Sequence, residues 1–241
     1  MITLVDKQEE VKPDWTIYDI ATKRCPRGWE IVFEECIDDL MRISEMYEGE
    51  VFYPLKENLF RAFELCPLSE VKVVIIGQDP YPQLMDRSNI PRAQGLSFSV
   101  DERDSIPSSL MNIFKELKSN FVDYQMPSHG DLTLWALQGV LLLNSCLTVK
   151  PGCPSDKDNR WCPFIETVFK FINQERPGTI YLLWGGKAQK LRSSLGSNSK
   201  ILTAAHPSGL SANRGFFGCE HFKKVNRILE LNGDEPINWQ T

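Results

Sequence analysis

Four short stretches carry side chains suited to acid–base, hydrogen-bonding and stacking chemistry, and each stands at or near the end of an apolar run. Gln78-Asp79-Pro80-Tyr81 follows VKVVIIG (71–77), and Asn144 interrupts GVLLLNSCLTV (139–149). Trp184-Gly185-Gly186 ends TIYLLWG (179–185), and His206-Pro207-Ser208 ends KILTAAHP (200–207). A placed carboxylate activates water or offsets developing positive charge. An imidazole switches near neutral pH, and a buried amide reads a ligand with complementary donor and acceptor edges.

Each residue also has an ordinary reading. Asp-Pro is common in turns for local hydrogen-bonding reasons. What shifts Asp79 towards function is Tyr81, held between Pro80 and Pro82, each of which fixes one φ. A pocket wall needs such stiffness and a solvent loop does not. His206, one of three histidines, reads alone as structural, but Pro207-Ser208-Gly209-Leu210-Ser211 carries an apolar side chain, Leu210, that beside a cleft could act as a wedge. Asn144 must find partners or cost about 1–3 kcal/mol. Phe98, in GLSFSV, reads as core by type alone. Lys187, Lys190, Arg192, Arg214, Lys223 and Lys224 form two basic clusters whose default is solvated helix faces.

The elements that must position these residues follow from periodicity. Four short Val/Ile/Leu-rich runs, 71–77, 139–149, 179–185 and 200–207, read as buried strands. Helical spacing covers 26–47, 56–65, 107–119, 131–138, 161–175, 187–195 and 219–231. Strands alternating with helices predict an α/β fold, a central four-stranded, mainly parallel sheet flanked by helices. In such sheets ligands gather at the carboxyl ends of the strands, where the four stretches lie. One domain is expected over 1–241, with 1–14 and 233–241 as peripheral termini.

The gross numbers bound the rest. Lys and Arg total 27 against 32 Asp and Glu, a formal net charge of −5. This argues against indiscriminate nucleic-acid coating but leaves room for a local basic face. Seven cysteines, with no CxxC pair, and MITLVDKQEE without an apolar core suggest free thiols in a reducing cytosol. The gaps between Cys146, Cys153, Cys162 and Cys219 match no familiar ligand spacing, so no metal is expected. No run reaches membrane-spanning length.

Five blocks, in order, resemble family 1 uracil-DNA glycosylases: GQDPYP (77–82), AQGLSFSV (93–100), GVLLLNSCLTV (139–149), LLWGGKAQK (182–190) and HPSGLSANRGFFGCEHF (206–222). The likeness extends over residues 15–232. It implies the three-layer α/β/α fold of that family and metal-free, cofactor-free hydrolysis of the N-glycosidic bond of deoxyuridine in DNA. Uracil leaves, an abasic site remains for base-excision repair, and the nucleotide must leave the stack. By the resemblance, Asp79 positions water and stabilises the oxocarbenium-like sugar, and His206 donates to uracil O2 as negative charge develops. Asn144 reads O4 and N3–H, Phe98 stacks on the base, Tyr81 excludes the thymine methyl, and Gln78 adds a contact near O2. Ser109, Gly185, Gly186, Ser208 and Ser211 would pinch phosphates, and Leu210 would enter the duplex. Uracil-containing DNA is the implied partner of a cytoplasmic monomer, with a proteinaceous glycosylase inhibitor or replication proteins as further candidates.

The chain departs from the family pattern at Pro82, Gly186 and Gly209, at the thinned Ser105-Ile106-Pro107-Ser108, at Asp156 and in a long 83–93 loop. Two other functions compete. A DNA-binding replication-accessory protein on the same scaffold would need neither Asp79 nor His206. A nucleotide-binding α/β protein is disfavoured because no GxGxxG or GxxxxGK loop is present.

Overall fold

The computed structural model describes residues 9–153 and 160–241; Asp156 and most of MITLVDKQEE lie outside the described residues. Four strands form one parallel sheet: β1 (Val73–Gly77), β2 (Val140–Asn144), β3 (Ile180–Trp184) and β4 (Lys200–Ala204). Their order is β2-β1-β3-β4. Every residue of β1, β2 and β3 is buried, although β2 is an edge strand, whereas the first four residues of the other edge, β4, retain exposure. Burial on both faces explains why β1, β2 and β3 read as near-continuous apolar runs rather than alternating ones.

The helices follow the expected order with altered ends. The 26–47 segment begins at Glu30 and divides into α2 (Glu30–Glu35) and α3 (Ile37–Met46), after an α1 (Ile17–Lys23) that the apolar spacing did not reveal. Cys36 (φ −96°, ψ 10°) marks the break, yet its N–H still donates to Val32 O, so the axis continues through a distortion. The signal for α1 was a capping box: Thr16 N donates to Asp19 Oδ2 (2.9 Å) and Asp19 N to Thr16 Oγ1 (3.1 Å). The 56–65 segment is a 3₁₀ turn (Lys56–Asn58) followed by α4 (Arg61–Leu65). Then come α5 (Ser108–Asn120), a short α6 (Thr133–Ala136), α7 (Cys162–Glu175), α8 (Gly186–Gln189) running into a 3₁₀ turn, and α9 (His221–Leu231). No helix among the described residues is long and apolar enough to cross a membrane.

One stretch expected at the periphery is not peripheral. Ile237 and Trp239 are buried in the core. The Trp239 ring packs edge-on to Trp135 at 5.1 Å and against Phe222 at 5.0 Å, and Trp135 Nε1 donates to Trp239 O (2.9 Å). Residues 237–239 are too short for any periodic signal, so only the tertiary fold brings out their role.

Register determines where the chemistry lies. Gly77 pairs with Asn144 and Trp184 with Ala204. The chain therefore leaves β1, β2, β3 and β4 along one rim.

Candidate active site

At that rim a cavity of about 240 Å³ is lined by Gln78, Asp79, Tyr81, Phe98, Asn144 and His206, with Ser109 at its edge. Gly185 and Gly186 face an adjoining recess that shares Gln78 and His206. The structure thus brings the expected base-binding and catalytic residues together. Ser208, Leu210 and Ser211 lie on the loop beyond His206, outside that lining.

Each side chain is fixed by its backbone. Gln78 O accepts from Ser145 Oγ (2.8 Å) and Cys146 N (3.0 Å), so the turn after β1 is stitched to the turn after β2. With its carbonyl so engaged, Gln78 lines the cavity. Pro82 O accepts from Gly152 N (2.8 Å), which locks the far side of Tyr81. The Tyr81 hydroxyl donates to Phe98 O (3.2 Å). Phe98 sits at φ +64°, a left-handed conformation costly for an aromatic residue. The Tyr81 bond holds its carbonyl, so the expected wall and the expected stacking ring form one braced unit. Burial raises the Tyr81 phenol well above its usual range, which keeps the donor protonated.

His206 is held equally closely. Its Nδ1 accepts from Ser208 N (3.0 Å), which places the ring proton of the neutral form on Nε2. Burial lowers its pKa, favouring that neutral, Nε2–H-donating form near pH 7. The ring lies 6.0 Å from Phe98, tilted by 42°. Gly185 (φ +87°) makes room for it, because a Cβ there would meet His206 Cβ at 2.8 Å.

The hydroxyls of the next loop are already engaged. Ser211 Oγ donates to His206 O (2.8 Å) and is 2.9 Å from Ser208 Oγ. Because the Ser211 proton is used, the Ser208 hydroxyl donates in that pair. Both would have to rotate to bind a phosphate through O–H. Leu210 is 89% exposed at the tip of this loop.

Two features escaped sequence reasoning. Gly77 has no room for a side chain: a Cβ would fall 2.2 Å from Asn144 Oδ1. Its signal was the glycine ending an otherwise β-branched strand. The 83–93 loop is a closed structure, with Arg92 N donating to Gln83 O (3.0 Å) and Met85 N to Ile90 O (2.8 Å). Arg92 grips the buried Asp104 carboxylate through Nε (2.7 Å) and a second nitrogen (3.1 Å). This clamp runs between residues twelve apart with no local pattern to announce it. Among the described residues no cluster of three or more His, Cys, Asp or Glu is placed to hold a metal.

Comparison with known proteins finds this chain similar to uracil-DNA glycosylases. The family described as the uracil DNA glycosylase superfamily matches residues 63–230. A uracil-DNA glycosylase of Photorhabdus laumondii is 47% identical over 206 residues, covering 84% of this chain and 88% of the relative. One from Neisseria gonorrhoeae is 44% identical over 210 residues, covering 86% and 92%. The crystal structure of mimivirus uracil-DNA glycosylase superposes with a TM-score of 0.82 at 27% identity, over 89% of this chain and 86% of that one.

Proposed function

The chain belongs to the uracil DNA glycosylase superfamily, and from that premise we propose how its site divides the labour of releasing uracil from DNA. The reaction is hydrolysis of the N-glycosidic bond of an extruded deoxyuridine, leaving an abasic site. Asp79 orients the attacking water and offsets the positive charge developing on the sugar. His206, neutral and donating through Nε2, stabilises the negative charge developing at uracil O2. Asn144 pairs with O4 and N3–H; cytosine reverses that donor and acceptor pattern and leaves the buried amide mispaired. Phe98 stacks on the base, and Tyr81 occupies the space a thymine methyl would need. Gln78 contributes near O2. Ser109, Gly185, Gly186, Ser208 and Ser211 hold phosphates, and Leu210 fills the gap in the stack.

The observation that carries this reading is the shared cavity: Asp79, Asn144 and His206 come from three separate segments and line one space beside a braced aromatic pair. No step uses a metal or an amine nucleophile. UGI is the protein partner proposed here, because a tyrosine-to-phenylalanine variant of the mimivirus protein in complex with UGI superposes with a TM-score of 0.83 at 28% identity. The proposal includes a monomeric, cytosolic enzyme.

The test is release of free uracil from a uracil-containing oligonucleotide, with thymine and cytosine controls and a chelator present. Uracil release that persists in chelator, without thymine or cytosine release, is expected. DNA binding without uracil release would instead support a replication-accessory protein on this scaffold.

A further inference from the structure

Helix α5 grips both ends of the loop that carries Leu210. Asn112 and Glu116 lie one turn apart on α5 and are both buried. Asn112 Nδ2 donates to Pro207 O (2.8 Å), at the loop's entry. At its exit the Glu116 carboxylate accepts from Gly218 N (2.8 Å) and Glu220 N (3.0 Å). Asn120 Nδ2 also donates to Glu116, at 2.9 Å. The backbone it gathers is left-handed, at Gly218 (φ +81°), where a glycine fits without cost, and at Glu220 (φ +56°), where a side chain makes it unfavourable.

Between these anchors the loop is also held at Ala212 and Phe216, which are buried in the core. Ser208 and Ser211 bond to each other, and Phe216 is buried against Trp184 at 5.2 Å. The tip, Gly209-Leu210, is exposed, and a Cβ at Gly209 would touch nothing. The tip therefore hangs between its entry at Pro207 and a following segment held by Ala212, Phe216 and the Glu116 contacts, and its orientation depends on how both sides are spaced. One helix contacts both sides, and its first turn carries Ser109, which lines the cavity.

We propose that Glu116, with Asn112 as its counterpart at the loop entry, is a positioning residue that presents Leu210 ready-formed to duplex DNA. This rests on the reading of Leu210 as the residue that enters the stack. A preset tip avoids the ordering cost that a loose loop would incur on binding. The chemistry of the site explains the choice of carboxylate. Two oxygens must accept from three N–H donors, and an amide would turn an NH₂ towards one of them.

The decisive variant is Glu116→Gln, which keeps the volume and mispairs one end. Uracil release is measured on one oligonucleotide, single-stranded and as a duplex. The duplex kcat/KM is expected to fall on the order of tenfold further than the single-strand value, the scale of one hydrogen bond to a charged group. In a Leu210→Ala background that extra duplex penalty should vanish, because the wedge it acts through is gone. Equal losses on both substrates, or an undiminished penalty beside Leu210→Ala, would overturn the proposal. Asn112→Ala should slow both substrates, since Pro207 follows His206; no loss on either would remove the entry anchor. A parent enzyme inactive on both substrates would strike the functional reading itself, whereas an active parent with equal Glu116→Gln losses strikes only the clasp.

Discussion

Replacing Gly77 by alanine adds one methyl group at a crowded point of the site, against the Asn144 amide. That Cβ would lie 2.2 Å from Asn144 Oδ1 and 2.8 Å from Ser97 Cβ. Ser97 cannot yield readily: it is fully buried, its N–H donates to Leu142 O (3.0 Å) and its hydroxyl to Ile75 O (3.2 Å). The Asn144 amide must therefore retreat by about 0.8 Å, from 2.2 Å to the 3.0 Å below which Cβ contacts are essentially never seen. Overpacking of this kind costs about 1–3 kcal/mol of stability. A domain with about 5–15 kcal/mol in hand stays folded. Catalysis should suffer far more, because misplacing a binding group by about 1 Å costs on the order of 10²-fold. Single-turnover uracil release and urea denaturation, run side by side, separate the two effects. A folded Gly77→Ala protein releasing uracil at the parental rate would refute the claim that Asn144 is held in register by the missing side chain.

Other perturbations probe the remaining roles. Asp79→Asn should lose most single-turnover cleavage while retaining DNA binding; near-normal cleavage would contradict its charge-stabilising role. Tyr81→Ala removes both the proposed wall and the bond to Phe98 O, so thymine release should become measurable; unchanged rejection of thymine would show that the wall lies elsewhere. Buried His221, which accepts from Trp184 Nε1 (3.0 Å), has its pKa lowered to about 4, mainly by burial. As pH falls below 6.5 the unfolded chain takes up a proton that the folded chain refuses. Stability should therefore decline between pH 6.5 and about 4, by up to about 3 kcal/mol. His221→Gln should flatten that decline in denaturation midpoints, and an unaltered pH profile would exclude His221 as its source.

Much of the site was legible because its residues are written beside their strands. GQDPYP joins a strand end, a carboxylate and a proline-braced tyrosine within six residues, and local stereochemistry is enough to suggest a wall. Legibility failed wherever a partner lay far along the chain. Phe98 reads as core until the Tyr81 hydroxyl is seen on its carbonyl, seventeen residues away. Glu116 reads as a polar face of an amphipathic helix until two backbone amides about a hundred residues later converge on it. Trp239 reads as a tail residue until Trp135 and Phe222 close around it.

The order of strands and helices, the parallel sheet and the clustering of chemistry at strand ends follow from the amino-acid pattern itself. Hydrophobic period and turn residues act over a few neighbours, and a sequence displays neighbours directly. The strand order β2-β1-β3-β4, the pairing of Gly77 with Asn144 and the grip of α5 on the Leu210 loop belong to the tertiary structure alone. Those features are selected by how whole surfaces pack and which distant donors and acceptors then meet, a competition that no local stretch of chain can record.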